Sequence, residues 1–168
     1  MPLFARLYNF AHWLTQDRSE AEDLVQESCM KALKGFSSFQ QGSNFRAWMY
    51  RILRNTFLTS RTGLKASTVS LDNDEEAVVE PIARGTPESI LISSVDQQAI
   101  ETALEGLPVQ YREVVLLCDV EEMSYQEIAA TLAIPIGTVM SRLSRGRRAM
   151  RESLAQANIR SASGSANQ

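Results

Sequence analysis

Leu3, Leu7, Phe10 and Leu14 recur at intervals of three and four residues, which predicts a short amphipathic helix beginning almost at Met1. Ser19-Glu-Ala-Glu22 has the form of a capping box, so a second helix is expected to start there and to stop near Gly35. Its apolar stripe reads Ala21, Leu24, Val25, Cys29, Ala32, Leu33 and Phe36, and its other face carries Asp23, Gln26, Glu27 and Met30. Gln40 to Asn44 reads as a loop, with Ser43 or Asn44 capping a third helix. Phe45, Trp48, Met49, Ile52 and Leu53 form the stripe of that helix, and Arg46, Tyr50, Arg51, Arg54 and Asn55 lie mostly opposite.

Periodicity vanishes from Thr59 to Pro87, where Ser, Thr, Gly and Pro surround the acidic run Asp72-Asn-Asp-Glu-Glu76. That composition predicts a linker with little structure of its own. Thr86-Pro-Glu opens a further helix, expected to run to Glu105 and to end at Gly106. Leu107-Pro108 begins the next, with Tyr111, Val114, Val115 and Cys118 facing inward. Ser124 and Glu127 form a second capping box, after which Ile128, Ala129 and Leu132 are buried. Ala133-Ile-Pro-Ile136 turns the chain into a last helix. Its inner face is Val139, Leu143, Gly146, Met150 and Leu154, with Thr138, Ser141, Arg142, Arg145 and Arg148 outward. No stretch reads convincingly as a strand, so the fold class is all-α, with two small helical domains joined by a flexible acidic linker. The expected divisions are 1–62, a linker at 63–86, 87–156, and a disordered tail at 157–168.

Composition narrows the function. The 168 residues are 44% hydrophobic, no apolar run is long enough to span a bilayer, and the N-terminus lacks a signal-peptide pattern. Membrane insertion is not expected, and the chain reads as cytoplasmic. Cys29 and Cys118 sit among apolar residues and read as reduced core thiols. A single histidine and two distant cysteines do not build an ordinary zinc site, and no clustered carboxylate or His-based catalytic site is apparent. No metal, cofactor or catalytic residue is expected, which disfavours a nucleic-acid enzyme.

The net charge of −3 suits a nucleic-acid partner only once it is resolved along the chain. Residues 28–71 hold no Asp or Glu but carry Lys31, Lys34, Arg46, Arg51, Arg54, Arg61 and Lys65. Residues 72–135 hold fourteen acids against Arg84 and Arg112, and in 136–168 six arginines face only Glu152. Two basic blocks separated by an acidic one suggest two surfaces that face polyanions. The stretch Ser124–Arg148 reads as two short helices around a tight turn, a unit able to lay its second helix in the DNA major groove. The Tyr50, Arg51, Arg54 and Asn55 set suits single-stranded nucleic acid, since bases stack on rings while guanidinium groups meet phosphates. Read alone, it is equally an incidental helix boundary. The Asp23, Gln26, Glu27 ridge, read alone, is a solvated face.

In combination these stretches resemble the bacterial sigma factors of the extracytoplasmic-function (ECF) type. Glu22-Asp-Leu-Val-Gln-Glu27, Asn44-Phe-Arg-Ala-Trp-Met-Tyr-Arg-Ile-Leu-Arg-Asn55, Leu107-Pro108 with Tyr111-Arg-Glu-Val114, and Ser124–Arg148 occur in that family's order and approximate spacing. The resemblance implies sigma regions 2 and 4 and no catalysis by the chain itself. It makes Asp23, Leu24, Val25, Gln26 and Glu27 the site for the beta-prime clamp helices of core RNA polymerase, with Leu24 and Val25 supporting from the core side. Asn44, Phe45, Arg46, Tyr50, Arg51, Arg54 and Asn55 would then bind and open the −10 element of promoter DNA, with Trp48 propping the helix. Thr138, Ser141, Arg142 and Arg145 would read the −35 element, with Arg147 and Arg148 nearer phosphate. The helices around Leu107 to Leu117 would dock the polymerase beta flap, the linker acids Asp72, Asp74, Glu75 and Glu76 would occupy a basic channel, and an anti-sigma factor would be a further partner.

The family commonly has an extra stretch of helix before the position of Leu3, so a trimmed or mis-started N-terminus is expected here. Met140 stands where a Lys or Arg is usual, and Gly146 where alanine is common, which costs up to ~1 kcal/mol of helix propensity. The alternative is a conventional dimeric helix–turn–helix regulator, with residues 1–65 as its ligand or dimerisation domain, acting without polymerase.

Overall fold

The computed structural model describes residues 2–64 and 94–164. The linker acids, the Thr86-Pro-Glu helix start and the last four residues lie outside them. Among the described residues there is no strand, and the fold is all-α as expected.

The first bundle has three helices, α1 (Leu3–Thr15), α2 (Arg18–Lys34) and α3 (Phe45–Leu64), with a 3₁₀ turn at Phe36–Ser38. Helix α1 buries Leu7, Phe10, Ala11 and Leu14 and ends at Gln16, whose left-handed backbone sends its N–H back to the His12 carbonyl. Helix α2 is capped by Asp17, whose carboxylate accepts the Glu20 N–H at 2.8 Å, so the helix begins before the expected Ser19–Glu22 box. It buries Ala21, Leu24, Val25, Ser28 and Ala32. Leu33 and Phe36, expected in that stripe, are 78% and 58% exposed. At about 100° per residue, Leu33 falls on the side of Gln26 and Met30. Asn44 caps α3 by accepting the Ala47 N–H at 3.2 Å. Met49, Tyr50, Leu53, Thr56 and Phe57 form its buried face, and the helix runs on through Leu64, past the Thr59 where periodicity fades.

The second bundle contains α4 (Ser94–Glu105), α5 (Val109–Val115) continued by a π turn (Leu116–Val120), α6 (Tyr125–Leu132) and α7 (Ile136–Gly164). Helix α7 continues to Gly164, beyond the point where a disordered tail was expected. The Ser124–Glu127 capping box forms in both directions, and Ala133 closes α6 in the left-handed conformation. Gly146 lets α7 approach α5: a Cβ there would stand 2.8 Å from Val115 Cγ2.

Arg112 is the residue that composition most understated. It is buried, and its guanidinium donates to the carbonyls of Leu104 (2.8 Å), Glu105 (3.0 Å) and Leu107 (2.7 Å), where α4 ends, and of Trp13 in α1 (2.7 Å). Helix C-terminal carbonyls favour a cation, and these acceptors offset its loss of water. Burial lowers the guanidinium's basicity, opposed by the Glu105 carboxylate. Helix α1 also packs on α5, and α3 on α6, so the buried residues of both bundles join one cluster.

Candidate functional site

Three surfaces carry the sequence-predicted residues. On α2, Asp23, Gln26 and Glu27 are exposed on one ridge, whereas Leu24 and Val25 are buried beneath it. Glu27 also reaches Lys31 at 3.1 Å, an exposed pair worth at most a few tenths of a kcal/mol. The polar ridge continues into Met30 and Leu33, both exposed apolar side chains. Sequence reading placed Leu33 in the core, yet its helical phase relative to Gln26 and Met30 was available to correct that.

The second surface is built from the 3₁₀ turn, the 40–44 loop and the start of α3. Phe36, Phe39, Phe45 and Trp48 pack together: Phe39 lies 5.1 Å from Trp48 and 5.4 Å from Phe45, and Phe45 lies 5.7 Å from Trp48 by ring centroids. Phe36 completes the cluster, 6.0 Å from Phe39 and 6.4 Å from Trp48. Phe45 is exposed and Trp48 half-buried. An aromatic shelf open to solvent beside an exposed loop can take a base by stacking, worth about 1–3 kcal/mol per base. Phe36 and Phe39 belong to this shelf, and the signal that could have found them is their pairing with Phe45 and Trp48 across the loop. Farther along α3, Arg51 and Asn55 are exposed on a ridge of their own, and Arg46 is half-buried.

Asn44, Tyr50 and Arg54 turn the other way, toward the second bundle. Asn44 Nδ2 donates to Glu127 Oε1 at 2.7 Å. Arg54 grips both Glu113 oxygens at 3.3 Å and donates to the Leu132 carbonyl at 2.8 Å, at the C-terminal end of α6. Burial pushes the Glu113 carboxyl up, and the Arg54 charge beside it, with its hydrogen bonds and then Arg142, pulls it back. Tyr50 is fully buried, edge-on to Phe10 at 5.2 Å, with its hydroxyl facing Glu121 short of a formed hydrogen bond. Burial, and then the Glu121 carboxylate, keep that phenol neutral.

The third surface is the helix–turn–helix. Helix α7 presents Thr138, Ser141, Arg142 and Arg145 half-buried on its first turns and Arg148 exposed. The Ser141 hydroxyl donates to the Thr138 carbonyl at 3.1 Å. Arg147 differs from the others: it is paired in two-pronged fashion with Asp119, at 2.5 and 3.1 Å, and its Nη2 lies 3.6 Å from Cys118 Sγ. The hydrogen bonds to Asp119 hold the Arg147 guanidinium charged. Burial and the Asp119 charge push the Cys118 thiol up, so it stays protonated. Arg148 pairs with Glu152 at 3.3 Å on the open face. No group of three or more potential metal ligands occurs among the described residues, and no described helix is long and apolar enough to cross a membrane.

Two bundles carrying these surfaces in this order match known proteins closely. Residues 3–66 match the family described as Sigma-70 region 2, and residues 97–150 match Sigma-70, region 4. The ECF RNA polymerase sigma factor SigW of Bacillus subtilis is 30% identical over 158 residues, covering 89% of this chain and 83% of the relative. The chain belongs to the ECF RNA polymerase sigma factors. SigE of Mycolicibacterium smegmatis, also an ECF sigma factor, is 36% identical over 154 residues; these are 90% of this chain but 58% of that relative's length. Among solved structures, the sigma factor RpoE of Bartonella quintana, in complex with the anti-sigma factor NepR, superposes with a TM-score of 0.70. It is 33% identical to this chain, and the match covers 91% of this chain and 92% of that one. The first bundle is therefore sigma region 2, and α4 to α7 make up sigma region 4.

Proposed function

We propose that this chain is a promoter-specific initiation factor that binds core RNA polymerase and directs it to a two-element promoter. Region 2, residues 1–62, binds polymerase through Asp23, Gln26 and Glu27, supported from below by Leu24 and Val25. Region 4, residues 87–156, reads the −35 element through Thr138, Ser141, Arg142 and Arg145, with Arg147 and Arg148 near phosphate. Residues 63–86 tether the two, and Asp72, Asp74, Glu75 and Glu76 in that tether occupy a basic channel of the polymerase. The observation that carries the reading is the exposed polar ridge on α2 standing in the same chain as an arginine-bearing helix–turn–helix.

In the −10 step a base leaves its stack at a cost of a few kcal/mol and is received on the aromatic shelf, while Arg46, Arg51 and Arg54 hold backbone phosphates. Asn44, Phe45, Tyr50 and Asn55 complete that reading head. Melting is driven by binding energy, and the polymerase performs the chemistry, so the chain is not itself an enzyme. An arginine on α7 paired to a guanine discriminates by about 1–3 kcal/mol. The helices around Leu107 to Leu117 dock the beta flap, and the chain works in the cytoplasm. RpoE of Bartonella quintana is held by an anti-sigma factor, which supports a partner of that kind here.

The test is binding to purified core polymerase with Asp23→Ala and Gln26→Ala combined. Both side chains are exposed, so the fold should persist while affinity falls at least tenfold, about 1.4 kcal/mol. Unchanged affinity would remove the site from α2. A conventional dimeric regulator would bind a palindrome without polymerase.

A further inference from the structure

The arginines of α7 separate by helical phase. At about 100° per residue, Ser141, Arg142, Arg145 and Arg148 all lie within about 80° of Thr138 around the axis, whereas Arg147 lies about 180° from it. Arg147 therefore points away from the face that the other five share. It turns back onto the π turn, where its guanidinium meets both Asp119 oxygens, at 2.5 and 3.1 Å, and its Nη2 stands 3.6 Å from Cys118 Sγ. The π turn carries Asp119 to this place; its wider ring closes from the Glu121 N–H to the Leu116 carbonyl at 3.0 Å. Such insertions recur at functional sites. Beside Arg147, Gly146 meets Val115 and Tyr111 with no side chain of its own. A glycine contact sets how near two helices stand but does little to fix the roll of one against the other. A forked guanidinium–carboxylate pair is directional and does fix it.

We propose that Arg147 is a positioning residue for the −35 reading head: with Asp119 it sets the roll of α7 about its own axis, and it is not a phosphate ligand. This rests on the initiation reading given above and narrows it at Arg147, leaving Arg148 as the arginine near phosphate. A roll of about 10° shifts a side chain at the helix's outer radius of ~5–6 Å by about 1 Å. A binding constellation holds its geometry only to within about 0.5 Å. Thr138, Ser141, Arg142 and Arg145 ride on one helix, so a roll displaces them together from the base edges. The Arg147 charge is already matched by Asp119, so it adds nothing to the release of counterions from DNA.

The experiment uses the full chain bound to purified core polymerase and a pool of duplex promoters randomised upstream of the start site. The upstream element that the parent selects is then compared with its single-base mismatches, and binding to the matched promoter is followed across salt concentrations. With side chains 38% and 41% exposed, the pair adds little to stability, so Arg147→Ala and Asp119→Ala should unfold in urea at the parent's midpoint. Positioning predicts that both variants lower the matched-to-mismatched ratio at least about fivefold, the lower end of what one bidentate arginine–guanine pair supplies. The slope of log affinity against log salt should stay at the parent's value. Arg147→Asp combined with Asp119→Arg rebuilds the pair in reverse and should restore the ratio; a folded double variant that restores none of it overturns the pairing.

A phosphate ligand behaves differently. Arg147→Ala would then weaken matched and mismatched promoters alike and reduce the salt slope by about 0.9, and Asp119→Ala would tighten both. That outcome overturns the proposal, as does an unchanged ratio in either variant, and in both cases the initiation reading stands. A parent chain that selects no upstream element with core polymerase overturns the initiation reading, and the positioning role falls with it.

Discussion

Replacing Gly146 with alanine sets two effects of opposite sign against each other. Within an isolated helix the change should help by up to ~1 kcal/mol, because alanine restricts the unfolded chain and glycine does not. In the folded protein the new methyl would stand 2.8 Å from Val115 Cγ2, and 3.4 Å from both Tyr111 Cβ and the Tyr111 carbonyl. Carbon atoms in contact prefer about 3.5–4.0 Å. Val115 is β-branched and buried in a helix, where one rotamer dominates, so it has little room to turn aside. Relief therefore requires α5 and α7 to move apart, and overpacking of this kind costs about 1–3 kcal/mol. The net expectation is destabilisation by about 1–2 kcal/mol.

The assay is urea unfolding followed by far-UV circular dichroism, with amide exchange at residues 115 and 146. Tryptophan fluorescence is the internal control, since Trp13 and Trp48 both lie in the first bundle. The midpoint should fall in dichroism with the slope unchanged. Adding Val115→Ala should show a favourable coupling of at least about 1 kcal/mol, because it removes the colliding methyl. A Gly146→Ala chain as stable as the parent or more so, with no coupling to Val115→Ala, would mean that no close approach of α7 to α5 depends on Gly146, leaving only its loss of helix propensity.

Arg112→Ala should destabilise the chain by about 3 kcal/mol or more, since it leaves buried carbonyls at the end of α4 without donors; Arg112→Lys, with three donors, should recover part of this in thermal unfolding. Glu127 is held below its ordinary value by the Ser124 backbone N–H and then by Asn44. Its folded value lies under its unfolded one, so it contributes stability that is full above the ordinary glutamate range and is lost as pH falls through the folded value. Glu127→Gln should flatten that acid limb, and an unaltered acid limb would remove the assignment. Leu33→Asp should leave unfolding unchanged, given the exposure of that side chain, while weakening binding to core polymerase several-fold in a pull-down titration.

Fold class and element order were legible because helical periodicity and the Ser124–Glu127 box are local signals, and local contacts form those elements. Asp17 was missed as the α2 cap because a second capping pattern lay two residues later, and burial of Ala21 and Leu24 favours the earlier start. Leu33 and Phe36 lie outside the core, and an exposed apolar residue at helical spacing looks like a core residue in one dimension. Arg112 and the Arg54–Glu113 pair were illegible for a different reason. Their partners lie on other helices, Trp13 being 99 residues from Arg112 and Glu113 being 59 from Arg54, and no periodicity encodes such a pairing. The turning of Asn44, Tyr50 and Arg54 toward region 4 follows from that same long-range packing.

By the proposed function, this chain gives core polymerase a promoter address. The most direct measurement is reconstituted transcription with purified core polymerase on a randomised promoter library, with start sites and upstream sequences read from the products. The transcripts should depend on the chain, share two upstream elements at fixed spacing, and fall sharply with Asp23→Ala and Gln26→Ala combined. Core polymerase that starts the same transcripts with and without the chain would contradict it.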